Sequence, residues 1–116
     1  MKPKEKKFTI NSFVCRSRLI QSLPSNSYTI ASQTVDIQAG DWGIILLAMH
    51  YHIKFPRYLK NKLEELRKWK DGKLWVLVMI EEERERSKFG EVQMEVQGTN
   101  ANVMPCFSVE EARQCL

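Results

Sequence analysis

The sequence predicts an α/β protein whose mixed sheet is flanked by helices, and two patterns support that prediction. "GIILLAMHYHI" (43–53) and "KLWVLVMI" (73–80) are continuous apolar runs, as expected of strands that are covered on both faces. Between them, "PRYLKNKLEELRKW" (56–69) places Leu59, Leu63, Leu66 and Trp69 at helical spacing. A strand, a helix and a strand in this order predict a right-handed βαβ unit with parallel strands.

Shorter patterns predict the elements before this unit. Alternating apolar residues predict a strand over 8–14, and "CRSRLIQSL" (15–23) predicts a helix that Pro24 stops. The segments 28–32 and 34–37 are short strand candidates. Together these elements add strands to one edge of the sheet.

The last third of the chain continues the alternation of helix and strand. A helix is predicted after the acidic run "EEERER", with Phe89, Val92 and Val96 inward and Gly98 at its end. "NVMPCF" (102–107) reads as an edge strand because it contains a proline. The final helix, "SVEEARQCL" (108–116), opens on the S-x-x-E capping pattern, with Ala112 and Cys115 or Leu116 inward.

The length of 116 residues indicates one domain. We assign it to residues 8–116, after a basic tail over 1–7 in which four lysines leave little to bury. The longest apolar run, "IILLAM", is far shorter than the roughly 20 residues that span a bilayer. No apolar signal region follows the first lysines, so we expect neither secretion nor membrane insertion.

The charge of the chain is unevenly distributed. Residues 1–70 contain 13 Lys and Arg against 5 Asp and Glu, whereas residues 71–116 contain 5 against 9. Such asymmetry is typical of a protein with one basic face for a polyanionic partner, although a solvated helical surface explains it equally well. The three cysteines, Cys15, Cys106 and Cys115, lack paired CxxC spacing, which favours free thiols in a reducing compartment.

The sequence gives no convincing catalytic or metal site. His50 and His52 lie two apart on a predicted strand and so share a face, but no third ligand follows, and we expect no metal and no cofactor. Asp36, Asp41 and "DGK" offer the carboxylates and lysine of a two-carboxylate nuclease. Asp71, however, belongs to a D-G turn, so this match carries little weight.

The segment "HYHIKFPRY" (50–58) is the strongest candidate for binding. Tyr51 and Tyr58 bracket a predicted strand-to-helix corner, where rings stack bases or clamp a peptide and cations hold phosphates. The cations beside them are Lys54, Arg57, Lys60 and Lys62. The alternative is that one tyrosine packs in the core while the lysines are solvated.

Two of these segments resemble a known family. "YHIKFPRYLKNKLEEL" is similar to the Y-H-N-L-H-P-D-Y-I segment in the central domain of the ERCC-one/Rad-ten family, the non-catalytic subunit of XPF-type DNA repair endonucleases. "SVEEARQCL" resembles that family's S-P-E-E-A helix, and "LWVLVMI" lies where its apolar strand does. The resemblance spans residues 8–116.

The resemblance implies a nuclease-like fold without an active site, because "IILLAM" replaces the E-R-K triplet of the catalytic subunits. It implies binding of single-stranded or junction DNA, with Arg16 and Arg18 as cations similar to those of the family's S-P-R-Q-R-G-N loop. Tyr51 and Tyr58 match the tyrosines that line the pocket for the damage-verifying XPA protein, with His52 in the same segment.

The resemblance further implies a nuclear role in nucleotide excision repair or recombination, as a heterodimer with an XPF-like catalytic subunit. The family's helix-hairpin-helix domain does not occur in these 116 residues. The sequence therefore indicates either an isolated domain or a naturally reduced protein that pairs through another surface. Two alternatives stay open, namely a protein-interaction adaptor that binds no nucleic acid and a divergent metal-dependent nuclease that uses Asp36 or Asp41.

Overall fold

The computed structural model describes residues 8–12, 17–24 and 28–115. In these ranges one sheet contains six strands in the order β2-β1-β3-β4-β5-β6. The strands are β1 (Phe8–Asn11), β2 (Tyr28–Ala31), β3 (Ile37–Ala39), β4 (Trp42–Ala48), β5 (Leu74–Met79) and β6 (Ala101–Cys106). The helices are α1 (Arg18–Gln21), α2 (Met49–Lys54), α3 (Arg57–Glu65), α4 (Glu83–Arg86), α5 (Phe89–Val96) and α6 (Val109–Gln114).

The predicted βαβ unit is confirmed as the centre of this mixed sheet. β4 and β5 pair in parallel from Gly43 opposite Leu74 to Ala48 opposite Met79, and β6 extends the parallel part. β3 runs antiparallel to both β1 and β4, while β1 and β2 are parallel. The predicted fold class, a mixed sheet flanked by helices, is therefore confirmed.

One face of the sheet, here called the α3/α5 face, holds the larger core. Leu59 and Leu63 of α3 and Val92 of α5 are buried against the alternate residues Ile45 and Val76 of the central strands. The predicted inward stripe of α3 is confirmed by these leucines. This core fixes the position of α3 on the sheet.

The opposite face, here called the α1/α6 face, is covered less completely. Leu19 and Ile20 of α1 and Ala112 of α6 bury Ile37 and Leu77. Alternate residues of β4 on this side stay half-buried. The expectation that both faces of β4 are covered thus holds only in part.

The predicted strand over 43–53 is wrong in its second half. β4 ends at Ala48, opposite Met79, the last residue of β5, so a longer strand would have no ladder partner. The chain instead forms α2, which buries Met49 and His52, three residues apart, and exposes Tyr51. His50 and His52 therefore do not share a face.

The short strand predicted over 34–37 is shifted along the chain. Residues 34–36 form a bend and β3 begins at Ile37. In the bend, the Asp36 carboxylate accepts a hydrogen bond from the Leu46 amide at 2.7 Å, which replaces a ladder bond. The predicted strand at 8–14 forms over Phe8–Asn11, and its last two residues lie outside the described ranges.

The final elements agree with the predicted turn chemistry. Gly98 follows α5 with a φ of 82°, and Pro105 lies on the edge strand β6. Ser108 caps α6 by accepting from the Glu111 amide at 3.0 Å. The Glu111 carboxylate accepts from the amide of Phe107 at 3.4 Å rather than from that of Ser108. No helix in the described part of the chain has the length and apolar composition needed to cross a bilayer.

Candidate nucleic-acid interface

A tight connection between α2 and α3 positions the candidate site. The Phe55 amide donates to the Tyr51 carbonyl at 2.8 Å, and the Tyr58 amide donates to the Phe55 carbonyl at 3.1 Å. Pro56, with a φ of −66°, occupies the N-cap position of α3, where its missing N–H has no helical partner to lose. Tyr51 and Phe55 are therefore one turn apart, and Tyr58 lies in the first turn of α3.

Three rings converge here, and we call Tyr51, Phe55 and Tyr58 the aromatic corner. The Tyr51 and Phe55 centroids are 4.8 Å apart in a tilted arrangement, and those of Tyr51 and Tyr58 are 5.2 Å apart, edge to face. Both distances are in the range of favourable ring pairs. Tyr51 is 40% exposed and Phe55 47% exposed, so a ligand can reach two of the three rings.

Tyr58 anchors the corner to the protein. Its ring is half-buried and packs against the core of the α3/α5 face. Burial, together with the nearby Asp36, Tyr51 and Glu65, raises the pKa of Tyr58 to about 12. The hydroxyl thus stays protonated at neutral pH. Tyr51 is therefore exposed whereas Tyr58 is half-buried, so the alternative that one tyrosine packs in the core holds in part for Tyr58.

The cations around the corner fall into two groups. Lys54 lies over Phe55, with its Nζ 5.6 Å from the ring centroid, and Arg57 and Lys60 are exposed on α3. In the described ranges no carboxylate lies within 4.0 Å of these three cations. They are therefore open to phosphate groups.

Lys62 is held by the protein itself. Its Nζ donates to the Thr34 carbonyl at 3.1 Å and lies 3.4 Å from the Glu65 carboxylate. Only 18% of its side chain is exposed, and its Nζ is 6.0 Å from the Tyr58 centroid. Lys62 ties α3 to the bend before β3 and positions Tyr58.

The remaining predicted site residues lie elsewhere. Arg18 is on α1, where it pairs with Glu81 at 2.9 Å, and Arg16 lies outside the described ranges. His52 is only 3% exposed, and its Nδ1 has no hydrogen-bond partner among the described residues. The His52 ring is thus covered, whereas His50 is exposed.

The carboxylates considered for a nuclease site lie apart. Asp36 bonds to Leu46 near the end of β4, and burial raises the pKa of its carboxyl. Asp41 precedes the first residue of β4 and pairs with Lys70 at 3.2 Å, which lowers its pKa. Among the residues that the structure describes, no group of three or more His, Cys, Asp or Glu side chains could hold a metal ion.

The sequence interpretation did not foresee the exposure of Phe55 and Ile53. Phe55 is 47% exposed and Ile53 is 46% exposed. The interpretation read 43–53 as one strand and assigned no role to Phe55. The spacing of Tyr51 and Phe55, four residues apart and followed by proline, is the signal that could have identified a helical turn with two rings on one side.

Comparison of the fold shows that it is XPF-like. XPF from Aeropyrum pernix in complex with DNA superimposes with a TM-score of 0.71 and 12% identity, covering 96% of this chain and 61% of that one. XPF from the same organism without DNA gives the same score and identity over 93% and 60%. The chain thus spans about three fifths of these structures. No protein-family model and no curated protein matches it.

Proposed function

We propose that this chain is a non-catalytic DNA-binding domain of a structure-specific endonuclease complex. It acts in the nucleus, in nucleotide excision repair or recombination, and pairs with an XPF-like catalytic subunit that cuts the DNA. The observation that carries the proposal is the aromatic corner, in which exposed rings lie beside unpaired cations on an XPF-like fold. The corner is built by α2 and α3, so the DNA contact proposed here uses only residues of this domain.

The proposed mechanism is positioning of single-stranded or junction DNA. Lys54, Arg57 and Lys60 hold backbone phosphates, while Tyr51 and Phe55 stack bases. Stacking on aromatic rings is tolerant of sequence, because every base has a π face. Lys62 and Tyr58 hold the corner in place, while a contribution of Arg16 and Arg18 to DNA binding rests on the family resemblance alone.

The first test measures binding of a single-stranded thymidine oligonucleotide by fluorescence anisotropy. Because bound cations release counterions, we expect affinity to fall steeply from about 50 to about 200 mM salt, with a slope of roughly −0.7 per phosphate contact. Lys54→Ala, Arg57→Ala and Lys60→Ala should each make that slope shallower by about 0.7. Arg113→Ala, on α6 and paired with Glu110, is the control and should leave it unchanged.

The rings are tested in the same assay. Tyr51→Ala and Phe55→Ala should each weaken binding by about 1–3 kcal/mol while leaving the fold intact. Phe107→Ala is the matched control, since Phe107 is 43% exposed and follows β6, which is two strands from β4 in the sheet. A DNA affinity that changes neither with salt concentration nor in Tyr51→Ala and Phe55→Ala would contradict the proposal.

The non-catalytic part of the proposal has its own test. "IILLAM" occupies the central strand β4, and Asp36 and Asp41 lie toward its opposite ends. We expect no cleavage of flap or bubble DNA in magnesium or manganese. Cleavage that survives purification and disappears in Asp36→Ala would favour the divergent nuclease instead.

A protein-interaction adaptor is the second candidate, and one observation favours it. Phe55 is about half exposed and lies beside Tyr51, which gives the corner an apolar surface suited to a peptide. An XPA-like protein is the partner that the resemblance suggests. Peptide binding that is insensitive to salt and is lost in Tyr51→Ala, without any binding of the oligonucleotide, would select this candidate.

A further inference from the structure

A groove lies on the α1/α6 face, on the other side of the sheet from α3. Its volume is about 430 Å³. Trp42 and Ile44 of β4, Trp75 of β5 and Met104 of β6 line it, together with Cys115 after α6. Eight residues line it, and every lining side chain is apolar or a thiol.

The groove exposes large side chains that a sheet of this kind normally covers. Trp42 is 40% exposed and Met104 36% exposed, and Trp75 and Ile44 are only half-buried. On the same face, Leu77 and Cys106 are buried beside α6. Contiguous exposed apolar residues of this size mark binding surfaces in soluble proteins.

One end of the groove carries a positive charge. The Lys73 Nζ lies 4.0 Å from the centroid of the Trp42 ring. No carboxylate in the described ranges lies within 4.0 Å of Lys73. The neighbouring Asp41 pairs with Lys70, and Lys73 acts on it from farther away. The groove therefore offers apolar walls and one cation that has no close ion pair.

The size of the groove limits what can occupy it. A stable interface between two folded chains takes roughly 20–30 residues a side, many more than the eight that line this groove. A dedicated small-molecule site is lined in addition by a few convergent polar groups, whereas the lining here is almost entirely apolar, with a thiol and two indole N–H groups as its polar groups. A short peptide that inserts apolar anchors fits both observations.

We propose that this groove binds a short segment of a partner protein that carries two large apolar side chains and an adjacent Asp or Glu. The apolar side chains lie against Trp75, Ile44 and Met104, and the carboxylate meets Lys73 above Trp42. The proposal does not depend on DNA binding at the aromatic corner, because the groove and the corner lie on opposite faces of the sheet.

The first experiment uses 1-anilinonaphthalene-8-sulfonate, whose aromatic body and sulfonate imitate an apolar anchor beside an anion. Trp42 and Trp75 line the groove, so energy transfer from tryptophan reports binding. We expect saturable binding that weakens by about tenfold in Lys73→Glu, the loss expected for one charge-assisted contact. Trp42→Ala should weaken it at least as much.

The control variant is Met94→Ala, which removes an apolar side chain that is 71% exposed on α5, away from the groove. It should bind the dye like the wild type. Circular dichroism and urea midpoints confirm that each variant is folded. Lys73→Glu changes only the charge at the rim, so it keeps the test valid if Trp42→Ala is unstable.

The second experiment selects random dodecapeptides displayed on phage against the wild-type chain and counter-selects with Lys73→Glu. We expect enriched peptides with two neighbouring large apolar residues and an Asp or Glu, and these should displace the dye. Dye binding that is equal in wild type, Lys73→Glu and Trp42→Ala would overturn the proposal. So would enriched peptides without an acidic residue, or a dimer of this chain that excludes the dye.

Discussion

The two faces of the sheet are built by different means. On the α3/α5 face, helices of 9 and 8 residues have no side-chain hydrogen bond at their N-caps and are held by buried apolar stripes. On the α1/α6 face, helices of 4 and 6 residues are each capped by a serine, Ser17 or Ser108. Because isolated short helices are unstable in water, the first pair depends on packing and the second depends also on its caps.

Because of this difference, the α3/α5 face contributes mainly to stability and the α1/α6 face keeps a surface open for binding. The long helices seal one face, so its residues contribute mainly to the free energy of unfolding. The short helices cannot cover the whole second face, and the apolar groove beside Trp42 and Met104 is what remains open. The aromatic corner is possible because α3, fixed by the sealed face, holds Tyr58 in place at the edge.

The largest expected effect compares a buried side chain of one face with a groove side chain of the other. Leu59 is fully buried on the α3/α5 face, so Leu59→Ala should lower the free energy of unfolding by about 2–5 kcal/mol. Met104→Ala, in the groove, should lower it by about 0.5 kcal/mol. Urea unfolding followed by circular dichroism measures both. Equal losses would show that the groove is as tightly packed as the core.

The next effect on stability concerns the close contact between β4 and the turn that follows α3. A Cβ added at Gly43 would lie 2.8 Å from two Trp69 ring atoms and 3.0 Å from a Val35 methyl. The Trp69 indole is held by its hydrogen bond to the Asp41 carbonyl at 3.0 Å, so it cannot move freely. Gly43→Ala should therefore destabilise the protein by about 1–3 kcal/mol.

Gly90 on α5 supplies the control for that substitution. A Cβ added there meets no atom within 4 Å, and its φ is not positive. Gly90→Ala should stabilise the protein by about 0.5–1 kcal/mol, since alanine has the higher helix propensity. If both alanine variants shift the urea midpoint in the same direction, the close contact at Gly43 does not exist in solution.

A smaller effect tests the caps of the α1/α6 face. Ser108→Ala removes the acceptor for the Glu111 amide and should cost about 1 kcal/mol. Ser108→Thr retains a hydroxyl and should recover most of the loss. Hydrogen exchange should show faster opening of α6 in the alanine variant, with α3 unchanged. A uniform increase across the chain would mean that the two faces unfold together.

Much of the fold could be predicted because its signals are local. The apolar runs of β4 and β5, the leucine stripe of α3 and the Ser108 cap each specify an element by spacing alone. The boundary at Ala48 could not be predicted in this way. It depends on where the partner strand β5 ends, which is a tertiary constraint that no pattern in 43–53 contains.

The residue types of the candidate site could be predicted from the sequence, but the burial and hydrogen bonds of those residues could not. The sequence places Tyr51, Tyr58 and several cations close together. Whether Lys62 is available to DNA depends on Thr34, 28 residues earlier, whose carbonyl accepts its hydrogen bond. The groove was missed for the same reason, because Trp42 and Trp75 are brought together by strand pairing rather than by proximity in sequence.

The smallest effect concerns Asp36, at the bend that joins the two faces. Its neighbours Val35 and Ile37 belong to the cores of opposite faces. Burial raises the pKa of the Asp36 carboxyl above its usual value, although the Leu46 hydrogen bond and Lys62 oppose the shift. A raised pKa in the folded state means that the folded form loses stability, relative to the unfolded chain, as pH rises from below about 4 through the folded-state pKa.

Asp36→Asn should remove this pH dependence, because an amide oxygen can still accept from the Leu46 amide but carries no charge. The difference in unfolding free energy between the variant and the wild type should therefore move in favour of the variant as pH rises, and level off once Asp36 is ionised. Urea titrations at a series of pH values measure it. A difference that moves in favour of the wild type as pH rises would mean that Lys62 outweighs burial, so that the bend is held by an ion pair rather than by a hydrogen bond.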